Sequence, residues 1–248
     1  HLGVPAWMSW MNDLVPAGLR GRFFAKRSVS LTLVSVLAAP LVGRALDLGR
    51  VQIGERYTFA SLFALAGVFG LVNFFLLLAQ PEPAYTRPEK TPRLTVEYFM
   101  GPLRNAAFRR FLFAVAGWAF AQSVAGPFFA VFQLKTLGFS FFAVQAVGTV
   151  AAVTTLAFTP AVGYLADKYG NRALYIIAYV VVTVIPLFWA MMRPDMPVLT
   201  WTLLIAAQSV SGVIGAMMGI TQFNLMLGLS PSSETARYSA LFTAAAAL

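Results

Sequence analysis

The segment Gly163-Tyr164-Leu165-Ala166-Asp167-Lys168-Tyr169-Gly170-Asn171-Arg172 sets three charged side chains and two glycines between two long apolar runs. Charge is costly inside a bilayer, so such a run belongs at a membrane surface. Asp167, Lys168 and Arg172 there suit an electrostatic contact between segments, or simply solvated anchoring. Gly163 is placed to let a helix approach a neighbour closely. Gly170 suits a tight turn that needs positive φ. A second set of polar residues lies within apolar runs: Trp118, Gln122 and Ser123, then Gln145 and Thr149, then Gln208, Ser209, Ser211 and, deeper, Gln222. Polar side chains inside a membrane either line a solute path or hydrogen-bond helices together. For Trp118, Gln122, Gln145, Gln208 and Ser211 both roles stay open. Phe128 and Phe129 read as lipid-facing or packing residues, given 22 Phe in the chain.

Covalent chemistry has no support. The chain has no cysteine, and its single histidine, His1, stands at the first position. There is no glycine-rich phosphate loop, no paired carboxylate and no metal-ligand spacing. No catalytic residue, metal ligand or cofactor site is therefore nominated.

Composition says where the chain lives. Of its 248 residues, 59% are hydrophobic and 11% are charged, against about 25% charged in soluble domains. Mean hydropathy is +0.74. A net charge of +9 fits basic cytoplasmic loops of a membrane protein better than a nucleic-acid partner. The expected partner is the lipid bilayer.

A bilayer-spanning helix needs about 20 largely apolar residues. Six runs qualify, at about Ser28–Leu46, Tyr57–Ala79, Phe111–Leu134, Phe141–Leu165, Ala173–Met192 and Val198–Leu229. A partial helix is expected near Leu2–Met11. Another opens near Pro231, with Ser230 as its N-cap and Pro231 as its first residue. The chain lacks an initiator Met and ends inside an apolar run, so it reads as a fragment. Gln80–Arg110 is proline-rich and mixed in charge, which suggests a linker with a short surface helix around Leu94–Met100. The organisation expected is a helical bundle over 1–80, a cytoplasmic linker over 81–106 and a second bundle over 107–248. The fold class is all-α, a polytopic membrane protein with six full and two partial spans.

Charge sets orientation. With the 163–172 loop on the cytoplasmic side, all 18 Lys and Arg except Arg44, Arg50, Arg56, Lys135 and Arg193 fall inside, as the positive-inside rule requires. An internal repeat agrees. Pro16-x5-Arg22-Phe23-x-Ala25 matches Pro231-x5-Arg237-Tyr238-x-Ala240, and both open an apolar run.

The spacing G-x-L-A-D-K-x-G-N-R at 163–172 resembles the cytoplasmic loop signature of the major facilitator superfamily of secondary transporters. Asp13-Leu14-Val15-Pro16 followed by Arg20-Gly21-Arg22 is similar to that family's loop between helices four and five. The resemblance implies a partial fold running from the end of helix four to the start of helix eleven. It implies that Gly163, Asp167, Lys168, Gly170, Arg172 and Arg237 form a conformational latch, with Asp167 facing the helix that opens after Ser230. The family often carries a basic residue where Asn171 stands, so the latch leans on Arg172 or Arg237. Helices seven, eight and ten would bring Trp118, Gln122, Gln145, Gln208 and Ser211 to the cavity. Ser35-x3-Ala39-Pro40-x2-Gly43-Arg44 resembles an export signature in degraded form. Arg44 and Asp47, three residues apart, are expected to pair near the outer surface.

The resemblance implies secondary transport of a small solute by alternating access, weakly favouring export. The protein would be multi-pass, in the plasma (inner) membrane, and monomeric as is usual in this family. No Asp or Glu lies well inside helices five to ten, which leaves a coupling ion, H+ or Na+, unassigned. The alternative is a non-transporting membrane sensor or partner subunit with the same fold.

Overall fold

A computed structural model describes residue 14 and residues 19–80, 100–231 and 234–247. The expected partial helix at Leu2–Met11, the Asp13–Pro16 segment and the surface helix around Leu94–Met100 lie outside the described residues, apart from Leu14 and Met100. Among the described residues every regular element is helical. They are α1 (Arg20–Gln52), α2 (Glu55–Leu78), a 3-10 turn (Gly101–Arg104), α3 (Ala106–Val131), a π-turn (Phe132–Thr136), α4 (Phe141–Tyr169), α5 (Asn171–Val182), α6 (Ile185–Met191), α7 (Pro197–Leu229) and α8 (Thr235–Ala246). Six stretches are long and apolar enough to cross a membrane, with α5 and α6 together forming one of them. The six match the apolar runs read from the sequence.

Helix ends follow local chemistry. The Asn105 side chain accepts hydrogen bonds from the backbone N–H of Ala107 and Phe108 at 3.0 and 3.2 Å, so it caps α3. Ser140 caps α4 by accepting from Ala143 N–H at 3.1 Å. Gly170 separates α4 from α5 with a φ of +85°, a conformation that an L side chain resists. Pro186, in the first turn of α6, leaves a break at Thr183–Val184. Pro40, Pro127 and Pro160 stay inside helices, which a bundle tolerates because neighbours re-satisfy the freed carbonyls.

The end of the bundle after Leu229 corrects one expectation. Ser230 closes α7, donating its hydroxyl to Leu227 O at 3.0 Å, and is not the N-cap of the next helix. Helix α8 starts at Thr235. A serine hydroxyl bonds whichever carbonyl the preceding turn presents, and here that turn is still helical. The start of α8 lies 215 residues after the start of α1, the same offset as the sequence repeat. Arg22 and Arg237 thus occupy the same place, the third residue, in their helices.

Lipid is as apolar as leucine, so helices in a membrane associate by close packing and hydrogen bonds. The most extensive packing joins α4 to α7. A Cβ on Gly212 would lie 2.5 Å from Ala151 O and 2.6 Å from the Thr154 Cβ. Thr155 seals this contact by donating its hydroxyl to Gly212 O at 2.9 Å. Gly215 also approaches Thr155, whereas a Cβ on Gly219 would meet nothing within 4 Å. Helix α2 leans on α1 through Thr58 against Gly49, and much of its remaining surface, including Phe63, Phe69 and Phe75, is exposed to the surroundings.

The turns sort to two ends. Leu137 and Met192 share one buried cluster, and Phe139 stacks on Trp201 at 4.7 Å. At the opposite end, Phe108 packs on Tyr238 at 4.4 Å. Arg104, Arg109, Arg110, Lys168, Arg172 and Arg237 gather there, which makes it the basic end of the bundle.

Candidate functional site

A cavity of about 640 Å³ opens between α3, the α5–α6 break and α7. Four of the five residues that the resemblance brings to the cavity line it: Trp118 and Gln122 from α3, Gln208 and Ser211 from α7. Helical spacing explains the convergence. Trp118 and Gln122 stand four residues apart, and Gln208 and Ser211 three apart, so each pair shares one helix face. Gln145 is on α4 and is not among the lining residues. Ser211 donates its hydroxyl to Ala207 O at 2.8 Å. Gln222 reaches the Tyr175 hydroxyl at 3.4 Å, in a chain that continues through Tyr179 to Ala114 O. That chain ties α3, α5 and α7 together.

The structure adds residues that sequence reasoning did not nominate. Phe129 lines the cavity and packs on Trp189 with ring centroids 4.5 Å apart. Phe128, beside it, is exposed as a lipid-facing residue would be. Gln133 is 5% exposed and sits in the π-turn that ends α3. Its Nε2 donates to Phe129 O at 3.3 Å, and its Oε1 accepts no hydrogen bond. Leaving such a group unpaired costs about 1–3 kcal/mol. Its signal in the sequence is a glutamine at the end of an apolar run, two residues before Lys135, where a helix end at the surface explains it equally well. No lining residue is charged, and among the described residues no three His, Cys, Asp or Glu side chains converge as metal ligands would.

The 163–172 segment forms the end of α4, the glycine turn and the start of α5. Asp167, Lys168 and Arg172 are exposed. Asp167 makes no ion pair or hydrogen bond among the described residues. Gly163 does not mark a close approach: a Cβ there would meet nothing within 4 Å. A glycine shows only that a neighbour could come near, and here the near neighbours lie along Gly212 and Gly215. Asn171 accepts a hydrogen bond from the Asn224 amide at 2.9 Å, which links the start of α5 to α7. Arg237 pairs with Glu234 at 2.8 Å, and its guanidinium lies where a side chain on Gly101 would have to go. It bridges α8 to the 3-10 turn before α3, not to Asp167.

The opposite end holds a polar contact between α1 and α4, which also pack together further along. Asp47, near the end of α1, accepts the backbone N–H of Phe141 at its Oδ1 and that of Phe142 at its Oδ2, both at 2.9 Å. These are the first two residues of α4, so the carboxylate also meets the positive end of that helix. The expected pairing of Asp47 with Arg44 does not occur. Both carboxylate oxygens point across to α4, because Gly43 lets α1 approach until a Cβ there would sit 2.7 Å from Phe141 O. Arg50 lies over the Phe141 ring at 5.2 Å, and Phe59 meets the same ring edge-on at 6.1 Å.

The family profile of the Major Facilitator Superfamily matches residues 2–248. The solved structure of a bacterial homologue of the human lysosomal transporter Spinster, in an inward-facing and unoccupied conformation, is similar in fold, with a TM-score of 0.58 and 21% identity. The likeness covers 96% of this chain and 56% of that chain, so the sequence spans little more than half of its solved relative. No curated protein matches the sequence.

Proposed function

Since this chain belongs to the major facilitator superfamily, we propose that it forms part of a secondary transporter that moves a small solute by alternating access. It is an integral multi-pass membrane protein, and we place it in the plasma (inner) membrane with its basic end in the cytoplasm. The observation that carries the reading is the cavity. Gln122, Gln208 and Ser211 bring polar groups to one space inside membrane-spanning helices, where such groups are otherwise expensive. Solute would bind there, between helices that rock about it. The degraded signature Ser35-x3-Ala39-Pro40-x2-Gly43-Arg44 weakly favours export.

Two contacts suggest the state of the cycle. Asp47 ties α1 to α4 at the outer end, and Asp167 at the inner end is unpaired among the described residues. A tied outer end and an unpaired Asp167 at the inner end suit the inward-facing arrangement, the one named for the Spinster homologue. In the working cycle the inner contact through Asp167 would form as the outer one through Asp47 breaks.

The test uses the full-length protein in proteoliposomes, with a single cysteine in place of Gln122 and a membrane-impermeant maleimide on one side at a time. Labelling from the cytoplasmic side in the resting protein, and from the outer side once the Asp47 contact is removed, is the expected result. Labelling from neither side under both conditions would show that Gln122 faces no solute path.

A further inference from the structure

The mouth of α3 is built in an unusual way. Five residues, Phe132–Thr136, wind as a π-turn directly after the α-helix, and such turns are rare and often sit at functional sites. The wider turn swings Gln133 inward, where it is buried, yet one of its two polar atoms finds no partner. Buried carboxamides elsewhere in proteins are nearly always satisfied. The residue borders the cavity, and one turn before it Phe129 packs on Trp189, both rings lining the same space. Trp189 also meets Phe132 edge-on at 6.1 Å. An unpaired acceptor thus stands beside aromatic faces at one end of the cavity.

The lining narrows the chemistry of what fits. With no charged side chain among the described residues that line it, this part of the cavity offers a charged solute no counter-charge for its lost hydration. A neutral solute with a flat apolar body and one O–H or N–H donor meets what is present. We propose that Gln133 is a solute-binding residue: its carboxamide oxygen takes the donor of such a solute, with a small side-chain rotation, while the apolar body lies against Phe129 and Trp189. The proposal rests on the cavity being the transport site. It makes the π-turn the device that presents a hydrogen-bond acceptor to a neutral amphipathic molecule.

A matched probe pair isolates the one hydrogen bond. 2-Naphthaleneethanol and its methyl ether share the flat body and differ in the O–H donor. Binding of each to the purified full-length protein is measured by equilibrium dialysis, with protein-free detergent micelles subtracted. The wild type should prefer the alcohol by about tenfold, the worth of one well-made hydrogen bond. Gln133→Met, close in shape and unable to accept that bond, should lose the preference while keeping its affinity for the ether. Phe129→Leu should weaken both probes and keep their ratio, and Gln133→Leu, which also lacks the acceptor, covers the case of a Met variant that does not fold. A preference that survives in Gln133→Met overturns the role of Gln133 and leaves the cavity standing. Absence of binding to either probe overturns the ligand class, and absence of maleimide access at position 122 as well removes the transport site itself.

Discussion

Replacing Asp47 with asparagine should loosen the outer end of the bundle without unfolding it. The carboxylate makes two hydrogen bonds of 2.9 Å to consecutive N–H groups at the start of α4. Hydrogen bonds to a charged group contribute about 1.5–3 kcal/mol, and the charge–dipole part, about 0.3–2 kcal/mol, overlaps with them. Asparagine keeps one acceptor and turns its NH2 toward the other N–H, so at least one bond and the full charge are lost. A net loss of about 1–2 kcal/mol shifts a two-state balance roughly 5- to 30-fold. The readout is the distance distribution between spin labels at Val51 and Thr136, both exposed, one four residues after Asp47 and the other five before Phe141, in full-length protein with no other cysteine. In Asp47→Asn the short-distance population should fall and a longer one should grow. Gly43→Leu is the companion, because its side chain would collide with Phe141 O and should open the same end by force. If Gly43→Leu widens the distribution and Asp47→Asn leaves it unchanged, then packing alone closes this end and the reasoning about the carboxylate is wrong.

Gly212→Leu should destabilise the α4–α7 pair by about 1–3 kcal/mol or more, since a Cβ at 2.5 Å from Ala151 O cannot be housed without moving a backbone; thermal unfolding in detergent checks it, and an unchanged midpoint would contradict the packing. Single cysteines should label from the cytoplasm at Tyr169 and from outside at Gln52, and the reverse pattern would invert the orientation. Asp167→Asn should slow exchange while leaving binding largely intact, and Gln122→Ala should weaken binding with less effect on exchange; equal loss of binding in both variants would return Asp167 to the role of a solvated anchor.

Much of the architecture was legible one segment at a time. Span length and apolarity are local properties, so six membrane helices could be counted along the chain. Gly170 announced a turn of positive φ because few other residues tolerate one. The 215-residue repeat, read from a handful of matched residues, reappears as two helices that begin at equivalent places. Trp118, Gln122, Gln208 and Ser211 could be nominated together because the family resemblance implies that their helices share a cavity, and helical periodicity puts each pair on one face.

What the sequence left open depends on which faces meet, and that is a property of packing between segments distant in the chain. Asp47 could serve its neighbour Arg44 or a helix 94 residues away, and only the close approach at Gly43 decides for the second. Gly163 and Gly212 look alike as small residues in membrane helices, yet a neighbour comes near only at Gly212. Ser230 could begin one helix or end another, and the last turn of α7 claims its hydroxyl. Gln133 borders the cavity from a π-turn whose wider winding has no signature in residue type. Local sequence thus determined which segments are helices and which of them are long and apolar enough to cross a membrane. Tertiary structure alone decided which polar atoms found partners, because a hydrogen bond between helices exists only where two backbones come within reach.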